Sequence, residues 1–153
     1  MAIDDLYERD FYVWTQQQAA ALRAAGKAGG RSNTIEWGLL AEEVEYLGNS
    51  QHLAVRSLLR QIIARLFKLS WSSRSEPRAG WRSEISAFRA DAIDRLTAAI
   101  RTKIEADLER QHRDALKVAM EAFVAHEPEA SRDETLRWTL PQVFGEADDP
   151  LES

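Results

Sequence analysis

Residues 50–71 read SQHLAVRSLLRQIIARLFKLSW. Val55, Leu58, Leu59, Ile62, Ile63, Leu66 and Leu69 recur at three- and four-residue spacing, the repeat of a helix face. At about 100° per residue they cover an arc of about 180°. A helix lying on one core needs only a narrower stripe, so this one is predicted to touch more than one neighbour. The chain is read outward from it as an all-α fold.

Upstream, a second helix is predicted to start near Asn33 or Thr34, either of which can cap it, and to end at Gly48. Asn49 or Ser50 then caps the helix that runs to Trp71. A first helix is expected from Asp4 to Ala25, with Tyr7, Phe11, Trp14, Ala21, Leu22 and Ala25 along one stripe. Asp4 and Asp5 suit its positive dipole end, Gly26 ends it, and Gly26–Asn33 reads as a flexible loop.

Downstream, Ser72–Gly80 reads as a polar loop. Trp81–His126 contains no glycine or proline. Ile85, Phe88, Ala92, Leu96 and Ile100 define one face, whereas Leu116, Met120 and Phe123 fall on a rotated one. A bend or break is therefore expected near residues 101–111, giving fourth and fifth helices. Leu136–Phe144 is a short apolar segment, and residues 146–153 are acidic and expected to fray. The expectation is a single helical domain over residues 1–145, a bundle of about five helices plus a short C-terminal segment.

Composition agrees. Ala, Leu, Glu, Arg and Gln, which favour helices, are abundant, against 4 prolines and 7 glycines. No apolar run approaches the roughly 18 residues of a membrane helix, and the start, MAIDDLYERD, lacks the basic-then-apolar pattern of a secretory leader. With no cysteine, disulfides, thiolate catalysis and Cys-based zinc sites are excluded, which fits a cytoplasmic setting. The net charge of −5 is uneven: residues 1–55 carry −4, residues 56–89 carry +6 and residues 90–153 carry −7. The plain reading is that a basic middle neutralises its acidic neighbours.

The motifs Leu6-Tyr7-x-x-Asp10-Phe11-x-x-Trp14, Glu36-Trp37, Leu40-Ala41-Glu42-Glu43-Val44-Glu45-x-Leu47-Gly48 and Leu66-x-Lys68-x-x-Trp71 come in this order. Arg78, Trp81-Arg82-x-x-Ile85, Arg89 and the closing Trp138-Thr139-Leu140-Pro141-Gln142-Val143-Phe144 follow. Together they resemble a bacterial family known as domain of unknown function 29. The resemblance covers nearly the whole chain. It implies a helical fold and supplies no activity. Where the family often carries His in the third-helix motif, this chain has Arg65.

Candidate polar residues come from the helical wheel. On the second helix Glu36 and Glu43, seven apart, fall near the middle of an arc formed by Trp37, Leu39, Leu40, Val44, Tyr46 and Leu47. A carboxylate in mid-core must be paired or protonated. The expectation is a buried polar network of Glu36, Glu43, Arg60, Arg65 and His112, with Arg82 and Arg89 as further partners. His112 sits on the stripe of Leu116, Ala119 and Phe123, where a lone His is usually a hydrogen-bonded core residue. Glu109-x-x-His112 has the spacing of a di-iron helical site, which needs two such pairs and two further glutamates, but neither His52, after Asn49, nor His126, after Phe123, completes a second pair.

No phosphate-binding glycine loop and no Gly-x-Ser-x-Gly elbow is present. No catalytic residue, metal or cofactor is expected from these motifs. Residues 56–89 interleave arginines with Phe67, Trp71, Trp81 and Phe88, which suggests Arg74, Arg78, Arg82 and Arg89 as nucleic-acid contacts. The pI of about 5.3 argues against that footprint. The function expected is a non-enzymatic protein–protein interaction or accessory module with a protein partner, off the membrane and open to homo-oligomerisation. The alternatives are a nucleic-acid-binding accessory protein using residues 56–89 and a metal-dependent enzyme.

Overall fold

The computed structural model describes residues 3–30 and 32–152. Arg31 of the expected loop, Ser153 of the expected tail and the side chain of Asp4 lie outside the described residues. Among these residues seven α-helices follow in order: α1 (Ile3–Arg9), α2 (Phe11–Lys27), α3 (Trp37–Trp71), α4 (Ser75–Arg95), α5 (Ala98–Ala106), α6 (Leu108–His126) and α7 (Leu140–Phe144). A 3-10 turn closes the chain at Pro150–Glu152. No strand occurs among the described residues, and the fold is all-α. No described helix is long and apolar enough to cross a membrane.

Two compact units divide the chain, Met1–Ala54 with Leu96–Thr102, and Val55–Arg95 with Lys103–Ser153. The helix α3 gives Trp37–Ala54 to the first and Val55–Trp71 to the second.

In the first unit the predicted single N-terminal helix is two. Asp10 leaves helical geometry at φ −151° and ψ 86°, and its Oδ1 accepts from the Val13 N–H at 3.0 Å. Its Oδ2 accepts from the Ala99 N–H at 3.0 Å, in the first turn of α5. One buried carboxylate thus caps two helix starts, and this competition for its side chain is why the helix breaks there. The buried face of α2 carries Tyr12, Thr15 and Ala19 rather than the aromatic stripe read from sequence. Tyr7, Phe11 and Trp14 instead pack on one another, with Tyr7 edge-on to Trp14 at 4.9 Å.

The predicted break at Gly48 does not occur, because α3 runs through it as one helix of 35 residues. A Cβ at Gly48 would lie 2.0 Å from Thr15 Oγ1. The glycine serves a close helix crossing, not a C-cap. Downstream, α4 begins at Ser75, inside the segment expected to be a loop, since Pro77 sits in its first turn where proline is tolerated. The break expected within residues 101–111 falls at Asp107, and a second separates α4 from α5 at Leu96 and Thr97.

The second unit is built on the C-terminal half of α3. Val55, Leu59, Ile62, Ile63, Leu66 and Phe67 are almost wholly buried, with Ile85, Ile104, Ala115, Ala119, Phe123, Leu140 and Val143 as their core companions. Each such large apolar side chain contributes about 1.5–3 kcal/mol relative to exposure. Phe67 packs edge-on to Trp138 at 4.9 Å, and Trp71 to Phe123 at 5.4 Å. The helix α7 is held by a capping box of Thr139 and Gln142 and stops at Gly145 in the left-handed conformation. Within the acidic segment 146–152, Leu151 is buried and Asp149 is bound by Arg89.

Candidate functional site

The residues singled out by sequence fall in both units, Glu36 and Glu43 in the first and Arg60, Arg65 and His112 in the second. Glu36 and Glu43 are exposed, which corrects their expected burial. On α3 the inward face is that of Trp37, Ala41, Val44, Gly48 and Val55, spaced by three, four and seven residues. The arc bearing the two glutamates lies on the opposite side. Leu39, Leu40, Tyr46, Leu47 and Leu53 on that side are 44–64% exposed. They form two rows, Leu39-Tyr46-Leu53 and Leu40-Leu47, in which neighbours are seven residues apart. Glu36, Glu43 and Ser50, also seven apart, run between the rows. A shallow hollow at its N-terminal end is lined by Ile35, Glu36, Leu39, Leu40 and Glu43. The exposed residues on this face include no lysine, arginine or histidine.

The arginines find other partners. Arg60 Nε donates to Gln111 Oε1 at 3.1 Å and its terminal nitrogen lies 3.8 Å from Asp114. Arg65 pairs with Glu84 of α4, and its guanidinium lies 4.7 Å over the Phe88 ring. Both therefore tie α3 to neighbouring helices of their own unit rather than to Glu36 or Glu43. Gln111, which sequence reading passed over, is fully buried and also donates to Asp107 Oδ2 at 2.7 Å. A glutamine beside His112 on the face of Ala115, Ala119 and Phe123 was the available clue.

His112 of the second unit is buried. Its Nε2 accepts from the Trp138 N–H at 3.0 Å, so Nδ1 carries the proton and donates to the Leu108 carbonyl at 2.9 Å. Burial pushes its pKa below the ordinary histidine value. The Leu108 carbonyl and Glu109 oppose that shift, while Arg137 adds to it. Glu109 is held by Arg137 Nε at 3.1 Å. Among the described residues no three His, Asp or Glu side chains gather closely enough to hold a metal ion.

The four arginines proposed for nucleic acid are engaged within the chain. Arg74 lies 3.7 Å from Glu127 and 3.5 Å from Glu129. Arg78 donates to the Leu69 carbonyl, and to that of Ser72 at 2.9 Å. Arg82 donates to the Leu151 carbonyl. Arg89 is buried and reaches the carbonyls of Val143 and Gln142 at 2.9 and 3.1 Å, besides Asp149. Aromatic–arginine interleaving in sequence did not distinguish packing from an open strip.

These features describe an all-helical fold in which Arg74, Arg78, Arg82 and Arg89 are engaged by its own carboxylates and carbonyls, with one helix face left apolar and acidic. The chain belongs to the family described as Domain of unknown function DUF29, which it matches over residues 6–146. It is similar to the crystal structure of an alpha-helical protein of unknown function from Rhodospirillum rubrum ATCC 11170. The identity is 28%, 95% of this chain and 93% of that chain are covered, and the TM-score is 0.81. No curated protein matches it. Neither the family nor that neighbour carries an assigned activity.

Proposed function

We propose that this chain is a protein-interaction module and that it docks its partner on the outward face of the first half of α3. The observation that carries this is the pair of exposed apolar rows, with Glu36 and Glu43 between them. Contiguous apolar surface of this kind costs solubility and favours association. Its spacing of seven residues suits a helix laid alongside, which places one apolar residue per heptad against each row. The occupant that fits is an amphipathic helix of a different protein, with lysine or arginine between its apolar positions. A second copy is disfavoured because the exposed face includes no basic residue to meet the two glutamates. The internal engagement of Arg74, Arg78, Arg82 and Arg89 supports this reading over a nucleic-acid strip.

The test uses the full chain and its Leu40→Ser/Leu47→Ser variant as baits, followed by titration of the captured protein's helical segment. A basic amphipathic segment should bind the original chain, lose affinity in the variant and lose it again in Glu43→Lys, with both variants retaining their melting temperature. Equal capture by both baits would overturn the proposal. So would a homodimer in sedimentation that the same substitutions dissolve. Short single-stranded DNA binding with a log–log salt slope near about −0.7 per phosphate would favour the nucleic-acid alternative instead.

A further inference from the structure

The second unit contains a cavity of about 360 Å³ between the end of α3, the first turns of α4 and the end of α6. Trp81 and Phe123 supply its aromatic surface, with Pro77 and Ala122 beside them. Lys68 reaches it from α3, and its ammonium lies 5.8 Å from the centre of the Trp81 ring. From these residues we infer that the cavity binds a small apolar monocarboxylate, the carboxylate on Lys68 and the apolar body against Trp81 and Phe123.

Charge accounting supports this ligand class. Lys68 is half-buried, and no carboxylate among the described residues forms an ion pair with it. Glu84, whose charge acts on Lys68, is paired with Arg65. Burial, and then the charge of Arg65, push the Lys68 amine below its ordinary pKa, so an arriving anion would relieve a strained cation. The other charges at the cavity already have partners. The buried Glu127 accepts from Ser72 Oγ at 2.5 Å and lies 3.7 Å from Arg74, which it shares with Glu129. Of the lysine and arginine side chains lining the cavity, Arg74 has carboxylate partners and Lys68 has the Trp81 ring, and His126 also lines the wall. One lysine ammonium balances a single negative charge, and the Glu127 carboxylate in the wall opposes a second. A singly charged carboxylate fits where phosphate does not. The volume lies at the small end of ligand cavities, about 300–1,000 Å³, and suits a single ring with a short acidic arm.

The probe is phenylacetate, with 2-phenylethanol as its uncharged counterpart and inorganic phosphate as the dianion control. Nuclear magnetic resonance of the full chain reads the five indole N–H signals, that of Trp81 being assigned through Trp81→Phe. Phenylacetate should shift the Trp81 signal saturably and bind more tightly than 2-phenylethanol. Lys68→Met should weaken phenylacetate by about tenfold or more, the loss of a charged contact, while leaving 2-phenylethanol unchanged. Ala122→Trp, which fills the cavity, should abolish both. Three results would overturn the inference: no saturable shift at Trp81, equal affinity of Lys68→Met for phenylacetate, or phosphate saturating the same signal. Circular dichroism of each variant separates lost binding from lost fold.

Discussion

Arg89 and Asp149, sixty residues apart in sequence, meet through two parallel hydrogen bonds at 3.0 and 2.8 Å. The same guanidinium donates to the carbonyls of Val143 and Gln142, so one side chain of α4 fixes both α7 and the acidic C-terminal segment. Gly145 leaves room for it: its φ is +74°, and a Cβ there would lie 2.8 Å from Arg89 Nη1. Burial works to raise the Asp149 carboxyl, but Arg89 and the Leu151 N–H outweigh it and hold its pKa below the usual range.

Asp149→Ala leaves the buried guanidinium without its counter-charge. Urea denaturation should show a loss of about 3 kcal/mol, at the lower end for a broken buried pair because two carbonyl acceptors remain. A loss below about 0.5 kcal/mol, typical of an indifferent surface change, would mean that the pair does not hold the segment.

Replacing glycine by alanine inside a helix ordinarily stabilises it by about 1 kcal/mol. Gly48→Ala should do the reverse and cost about 1–3 kcal/mol, because the new methyl overlaps Thr15. Thr15→Ala in the same chain should recover part of that loss, a coupling that a double-mutant cycle measures directly. Stabilisation by Gly48→Ala alone would show that α2 and α3 do not approach so closely.

His112 is neutral in the folded chain and has a lowered pKa, against an ordinary value of 6.5. Between the two values the unfolded chain binds more protons, so stability rises with pH there. The contribution is complete above about pH 6.5 and is lost as pH falls through the lowered folded value. Chemical denaturation at pH 7 and pH 5.5 should therefore show a larger loss in the original chain than in His112→Gln. Identical pH slopes would place the titration elsewhere.

Glu43→Ala should change stability by no more than about 0.5 kcal/mol, as expected for an exposed side chain. Gln111→Ala should cost about 2 kcal/mol, since it strips Arg60 and Asp107 of a buried partner. Thermal melts of the two variants rank them, and the reverse order would restore Glu43 to the core.

Helix content was legible in the chain because it is a local property. The wide apolar arc of residues 50–71 predicts the helix that the second unit buries, and the mismatch of two stripes predicts the break that falls at Asp107. Membership of an uncharacterised helical family could also be read from the ordered motifs. Other features were decided by tertiary contacts. A glycine that ends a helix and a glycine that admits a neighbour both need only the absence of a Cβ, and Thr15 determined which of these Gly48 is. The wheel of the first half of α3 carries apolar residues on both sides of the helix, and its period cannot say which side meets a neighbour. Packing turned Ala41 and Val55 inward and left Leu40, Glu43 and Leu47 facing water. The same limit governs the arginines, whose acceptors Glu84, Gln111 and Asp149 lie 19, 51 and 60 residues away. Charge counts along a chain carry no distances, and only the fold brings such partners within hydrogen-bond reach.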